Sequence, residues 1–163
     1  MIHTMKDGTH FNIDRATKYQ FDDAMELAYR VFLKYEAQQY GQEGTDKFAE
    51  FLTSPQLQKL FNAGHYILYV ATLDDKIIGI ASLRNCNHLS LLFVDDKYHR
   101  QGVASQLVKT LQNYLLEHEP DCETITVNAS PYGEPFYLKT GFMAQGERQR
   151  QDGIIFRPME MYL

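Results

Sequence analysis

Cysteine is scarce in this chain, with only Cys86 and Cys122 among 163 residues. They do not form a CxxC pair, and two cysteines build neither a disulfide framework nor a zinc site. Both are therefore expected to be reduced thiols, and no metal is expected. Long apolar runs are also missing. No stretch approaches the ~20 residues that a membrane helix requires, and Met1–His10 is polar, without the apolar core of an export signal. These absences point to a cytoplasmic protein with no membrane partner. An excess of positive charge is lacking too. The formal net charge is −5, which argues against a nucleic-acid partner, because affinity for a phosphate backbone comes from Lys and Arg. A local basic patch remains compatible with a small phosphorylated ligand. Repeats, low-complexity tracts and Pro/Gly/Ser-rich linkers are absent. At this length the simplest organisation is one domain spanning residues 1–163.

The elements alternate in type along the chain. Phe11–Ala16 alternates apolar and polar residues, as a short strand does. Ala24, Leu27, Ala28, Val31 and Tyr35 recur at helical spacing, which predicts a helix over 22–40 that Gly41 and Gly44 stop. Two short helices are expected over 45–52 and 55–63, with Thr45 and Ser54 as N-caps and Pro55 in a first turn. Tyr66–Ala71 and Ile77–Leu83 read as strands of a hairpin turning at Asp74-Asp75. His88–Val94 is nearly continuous in apolar residues, the pattern of a strand buried on both faces. Arg100–Glu119 carries Val103, Leu107, Leu111 and Leu115 in one stripe and meets Pro120, which ends a helix. Thr124–Asn128 follows as a strand, and strand–helix–strand implies a right-handed crossover and a parallel pair. A short helix over 133–140, broken by Gly141, precedes a final hairpin of 142–148 with 154–163. Pro158 there predicts a bulge or a free edge. The expected fold is α+β, a mixed, mostly antiparallel sheet with one parallel strand pair and helices on both faces.

The most informative stretch runs from Leu91 to Ser105, a buried strand passing through a turn into a helix whose first residues are small. A helix start offers unpaired N–H groups and a partial positive charge. Gly102 and Ala104 leave room for an anion to reach that backbone, which holds a pyrophosphate without many cationic side chains. A capping glycine accounts for the same pattern. The three spaced glycines of a dinucleotide-binding fold and the Gly-Lys-Ser/Thr of a P-loop are both missing.

This turn resembles the one that marks the GNAT superfamily of N-acetyltransferases, with Gln or Arg, two residues, Gly, one residue, then Gly or Ala. Gly102 and Ala104 match, and His99 stands in the Gln/Arg position as a departure. A later stretch, Val127–Phe142, resembles the superfamily's second motif, with Tyr137 on its tyrosine and Gly141-Phe142 on its terminal pair. Residues 88–94 and 152–159 are similar to a bacterial subgroup of uncharacterised members. The resemblance implies a GNAT-like fold and acetyl-CoA as co-substrate. It also implies that the backbone amides of Arg100, Gln101, Gly102, Val103, Ala104 and Ser105 hold the pyrophosphate. The strand end at Phe93 and Val94 would then pair with the pantetheine arm, and one of its N–H groups would serve the oxyanion at a bulge.

Acetyl transfer to an amine requires an in-line thioester, a neutral amine, an oxyanion donor and a proton for the leaving thiolate. The resemblance places Tyr137 in the last role, and a phenol near pKa ~10 can donate to a developing thiolate. No Glu lies on the 88–94 strand. His88, sharing a face with Ser90, Leu92 and Val94 under regular alternation, is the candidate base, directly or through water. A strand-end histidine of no catalytic consequence is its plain alternative. Asn128 is expected to orient the ligand or a water, or simply to end its strand. Tyr35, Glu36, Tyr40, Glu43, Asp46 and Glu50 gather on the acceptor side. They suit a cationic amine or form a solvated acidic face. The expected activity is transfer of acetyl to a primary amine of a small molecule or protein. A non-catalytic coenzyme A-binding sensor of the same fold and an unrelated interaction domain are the alternatives. Members of the superfamily often dimerise, so a homodimer stays open.

Overall fold

The computed structural model describes residues 1–163. Nine strands form the sheet: β1 (Ile2–Thr4), β2 (His10–Arg15), β3 (Ile67–Leu73), β4 (Lys76–Arg84), β5 (His88–Val94), β6 (Thr124–Ala129), β7 (Met143–Ala144), β8 (Gln149–Gln151) and β9 (Ile154–Tyr162). Five α-helices accompany them: α1 (Phe21–Tyr35), α2 (Ala37–Leu52), α3 (Pro55–Asn62), α4 (Val103–His118) and α5 (Glu134–Thr140). The strand order is β1-β2-β3-β4-β5-β6-β9-β7, with β8 also paired to β9. Every pairing is antiparallel except β5 with β6. The fold is thus the mixed, mostly antiparallel sheet with one parallel pair that the sequence led us to expect.

Both faces of the sheet are covered. On one, α4 buries Val103, Leu107, Leu111 and Leu115 against Ile78, Leu89, Ile125 and Val127. On the other, Ala24, Leu27, Ala28 and Val31 of α1 pack on Leu68, Ile80, Leu91 and Phe93. Burying each large aliphatic side chain contributes roughly 1.5–3 kcal/mol. The β3–β4 turn is the expected tight one. Asp74 and Asp75 both take positive φ, 50° and 64°, as a primed two-residue turn demands.

Several local expectations are corrected. The single helix over 22–40 is two, because α1 ends at Tyr35 and Glu36 leaves helical geometry at φ −124°. Gly41 does interrupt the helix: its φ of 73° and ψ of −173° are non-helical, and two helical segments meet there across a kink, grouped here as α2. Gly44 stops nothing and lies within the second segment, which runs to Leu52. Thr45 is not an N-cap, since its hydroxyl donates back to the Gly41 carbonyl at 2.8 Å. Ser54 does take the N-cap position of α3, with Pro55 in its first turn, although its side chain makes no capping bond. The helix expected from Arg100 starts at Val103, behind two left-handed residues, Arg100 (φ 63°) and Gly102 (φ 90°). The last strand is central rather than half of a simple hairpin. It pairs with β6 on one side and with β7 and then β8 on the other. Pro158 sits where β7 gives way to β8, and its carbonyl accepts the Gln145 N–H at 2.8 Å. The β8–β9 turn at Asp152 and Gly153 rests on α2. A methyl on Gly44 would come within 2.6 Å of the Gly153 carbonyl oxygen.

Candidate active site

The parallel pair is short. β5 and β6 are in register only at His88 with Thr126 and Leu89 with Val127. Beyond Leu89 the edge of β5 facing β6 is unpaired up to Val94, and the strands splay. One cause is a bulge. Ser82 of β4 pairs with Leu91 and Leu83 with Leu89, leaving Ser90 as the extra residue. The displaced Leu91 N–H donates to the Ser82 hydroxyl at 3.0 Å. The buried Tyr66 hydroxyl shares a 2.7 Å bond with Ser82 and donates to Ser90 at 3.0 Å. An inserted residue re-aims the side chains after it. The expected shared face of His88, Ser90, Leu92 and Val94 therefore does not form. Leu89, Leu92 and Val94 point to the α4 side, and Leu91 and Phe93 to the α1 side. The bulge also lies earlier than the strand end near Phe93 and Val94 where the resemblance placed it.

The splay opens a cavity of about 530 Å³ lined by α1, α2, β5, β6, α5 and the β8–β9 turn. Of the residues singled out in the sequence, His88, Phe93, Val94, Ala104, Asn128 and Tyr137 all line it. Gly102 and its neighbours stand beside Ala104 at the start of α4. None of the amides from Arg100 to Ser105 donates to an acceptor in the protein. The first such bond of the helix is Gln106 N–H to the Gly102 carbonyl, at 3.1 Å. The space where Gly102 would carry a Cβ is open, with nothing within 4 Å. Val103 is anchored in the core at 1 % exposure.

Side chains of this turn are mostly engaged in holding it. Gln101 Oε1 accepts the Asp7 N–H at 3.1 Å, and the Gln101 carbonyl accepts the Lys6 N–H at 3.2 Å. His99 turns back to β5, where its Nε2 lies 2.6 Å from the Val94 carbonyl oxygen. That carbonyl is therefore not free for a ligand. Asp95, nearly fully buried, accepts the Lys97 N–H at 3.0 Å and meets Arg30 Nη1 at 3.4 Å, while Lys34 pairs with Asp96. At the mouth the Tyr35 ring lies 5.1 Å from both His99 and Tyr132.

Tyr137 is held edge-on by Phe136 and Phe142 at 5.4 and 5.2 Å. Burial, reinforced by Glu36 and Tyr40, pushes its phenol far above the usual range, so the hydroxyl stays protonated. It makes no hydrogen bond within the protein and remains a free donor facing the cavity. His88 is pushed down, by burial and then by Arg84, and is neutral near pH 7. Its Nδ1 lies 2.8 Å from the Thr126 hydroxyl.

Glu36, one of a row of acidic positions in the sequence, is distinguished by the helix break. It lines the cavity, and burial pushes its carboxyl up, against the opposing effect of the Ser130 hydroxyl. Its field reaches Tyr40, Tyr132 and Tyr137. Arg84, at the end of β4 and in register with His88, also lines the cavity and went unnoticed in the sequence. Glu134 is structural. Its carboxylate is clamped at 3.0 Å by both Arg148 and Arg157, which ties α5 to the last strands. Cys86 and Cys122 carry free thiols, and no group of His, Cys, Asp and Glu is placed to hold a metal. No helix is long and apolar enough to cross a membrane.

Solved structures share this architecture. The GCN5-related N-acetyltransferase of Rhodopseudomonas palustris superposes with a TM-score of 0.79, covering 100 % of this chain and 98 % of that one at 19 % identity. The PaiA N-acetyltransferase of Thermoplasma acidophilum, in complex with coenzyme A, gives 0.75 over 94 % and 99 % at 16 % identity. The chain is also 31 % identical over 106 residues to a protein of Escherichia coli K12 named Uncharacterized N-acetyltransferase YafP. That match takes in 65 % of this chain and 63 % of the relative's length. Residues 36–163 match the family model described as Acetyltransferase (GNAT) domain. The chain belongs to the GNAT acetyltransferase family.

Proposed function

We propose that this chain, acting as one domain over residues 1–163 in the cytoplasm, is an acetyl-CoA-dependent N-acetyltransferase whose acceptor is a primary amine. The observation that carries this reading is the row of unpaired amides from Arg100 to Ser105 around an open Gly102, set at the mouth of the cavity that Tyr137 lines. Unpaired N–H groups at a helix start suit a pyrophosphate, and the Thermoplasma neighbour's complex with coenzyme A supports that ligand. Bound there, acetyl-CoA supplies an activated acetyl group.

The chain's own residues do the rest. The unpaired edge of β5 from Ser90 to Val94 offers backbone groups to an extended arm, except for the Val94 carbonyl that His99 occupies. Glu36, rather than His88, takes the amine's proton through water. Burial strengthens a carboxylate as a base, and the same burial weakens the imidazole. Tyr137 donates a hydrogen bond that stabilises the departing thiolate. The N–C bond forms as the C–S bond breaks, and the proton that leaves the nitrogen passes to the Glu36 side and from there through water to the released thiolate, so Glu36 returns to its base form.

The test is thiol release from acetyl-CoA across a panel of primary amines. Tyr137→Phe is expected to lower kcat by about 100-fold or more, with coenzyme A affinity and melting temperature close to wild type. Acetyl-CoA binding without turnover on any amine would instead identify a coenzyme A-binding regulatory protein.

A further inference from the structure

The cavity has two unlike ends. One lies under the start of α4 and contains His99 and Ala104. The other lies at the end of β4 and the start of β5, beside the short paired segment of β5 and β6, and two cations, Arg84 and Lys47, are among the cavity's lining residues. Arg84 has no carboxylate within salt-bridge distance, and Lys47 has only its helical neighbour Glu50, at 3.7 Å. The Arg84 guanidinium carbon stands 5.6 Å from the centre of the Phe51 ring. Its Nε is shielded from solvent and has no hydrogen-bond partner. Its field is felt at His88, where it adds to the downward push of burial, and at Tyr66, where it opposes the larger upward push of burial. Asp152 and Glu36 line the same cavity, but neither pairs with either cation.

A shielded guanidinium nitrogen without an acceptor is an unfavourable arrangement in a protein at rest. Arg84 as a whole is only partly buried and lines the cavity, so an anionic ligand meets the guanidinium at its cavity side, and the planar fork of Arg matches a carboxylate in two-point fashion. The walls between the two ends are apolar and aromatic, including Phe48, Phe51, Phe93 and Phe156. On this basis, and resting on the acetyltransferase reading above, we propose that the acceptor is a small amino carboxylate with an apolar body. Its carboxylate sits on Arg84 beside Lys47, and its amine points towards Glu36 and Tyr137. A polyamine or a lysine side chain brings no anion to this end and leaves Arg84 without a partner.

Phenylalanine and phenethylamine, which differ only in the carboxylate, are the probes. The wild-type protein, saturated with coenzyme A, is expected to bind phenylalanine about tenfold or more tightly than phenethylamine by calorimetry, and to show the same preference in kcat/KM with acetyl-CoA. Arg84→Met is expected to bring that ratio close to one, and Arg84→Lys to leave it in between, because a point charge replaces a fork. If Arg84→Met does not fold, Lys47→Met is read in its place and should reduce the ratio by a smaller factor. Equal binding of the two probes by the wild type, or an unchanged ratio in a folded Arg84→Met, overturns the proposal. Carboxylate-dependent binding with no transfer to any amine leaves the anion site standing and removes the enzyme reading, so the two failures are told apart.

Discussion

Strand β6 has two edges that are treated in opposite ways. Against β9 it is in register along all six residues, from Thr124 with Tyr162 to Ala129 with Arg157. Against β5 it is in register at two positions only. The apolar pattern of the strand is the same for both edges, with Ile125, Val127 and Ala129 buried on the α4 side. What differs is the neighbour. β9 meets β6 antiparallel and regular through the register, whereas β5 is displaced by the extra residue Ser90 and arrives parallel. The closed edge stabilises the fold. The open edge leaves backbone groups and a cavity for a ligand, so the site consists largely of pairing that the sheet does not make.

This contrast predicts that stability and function separate across one strand. The largest effect is expected at the open side. Glu36→Gln should lower kcat/KM by about 100-fold or more at neutral pH. The pH profile sharpens the point. Because burial raises the Glu36 carboxyl above its ordinary 4.5, the base form is lost at a higher pH than for an exposed glutamate. The acid limb of kcat/KM should therefore lie above the usual carboxylate range in the wild type and vanish in Glu36→Gln. An unchanged limb in the variant would assign the titration elsewhere.

On the closed side, Ile125→Ala should cost about 2–5 kcal/mol by chemical denaturation, since Ile125 is fully buried beside Met161 in register. Coenzyme A affinity of the folded fraction should be unaltered, and a parallel loss of affinity would break the comparison. Intermediate behaviour is expected at Gly102→Val. The residue's φ of 90° makes a β-branched side chain strained by about 1–3 kcal/mol, so some stability is lost. Calorimetry should nonetheless show coenzyme A affinity reduced about tenfold or more, because the added atoms enter the open space in front of the unpaired amides.

Much of the frame was legible in the sequence. Apolar runs about the Asp74-Asp75 turn marked β3 and β4, a nearly continuous apolar run marked β5, and the Val103–Leu115 stripe marked α4. Gly102 and Ala104 stood out at a strand–turn–helix junction, and Tyr137 was found through the resemblance to the superfamily's second motif. Arg84 was missed, and Glu36 was named only as one of six acceptor-side positions, for a physical reason. A carboxylate on a solvated helix face and one at a helix break are written with the same letter, and only the break, fixed by packing of two aromatic-rich helices, turns Glu36 inward. Phe32 of α1, stacked 4.3 Å from Phe48 of α2, is part of that packing. The bulge at Ser90 was invisible for a related cause. It depends on Ser82 and Tyr66, which come from two other strands. The early helix start at Arg100 was likewise overruled, because two left-handed residues turn the chain before α4 begins.

The contact between Gly44 and Gly153 has a consequence for how this pocket can be altered. The ceiling over the acceptor end is seated on bare main chain, with less than a methyl group of clearance. Neither Gly44 nor Gly153 can therefore carry a side chain without the turn and α2 moving apart. Redesign of acceptor preference has a rigid roof to work under, and a single alanine at Gly44 would lift that roof.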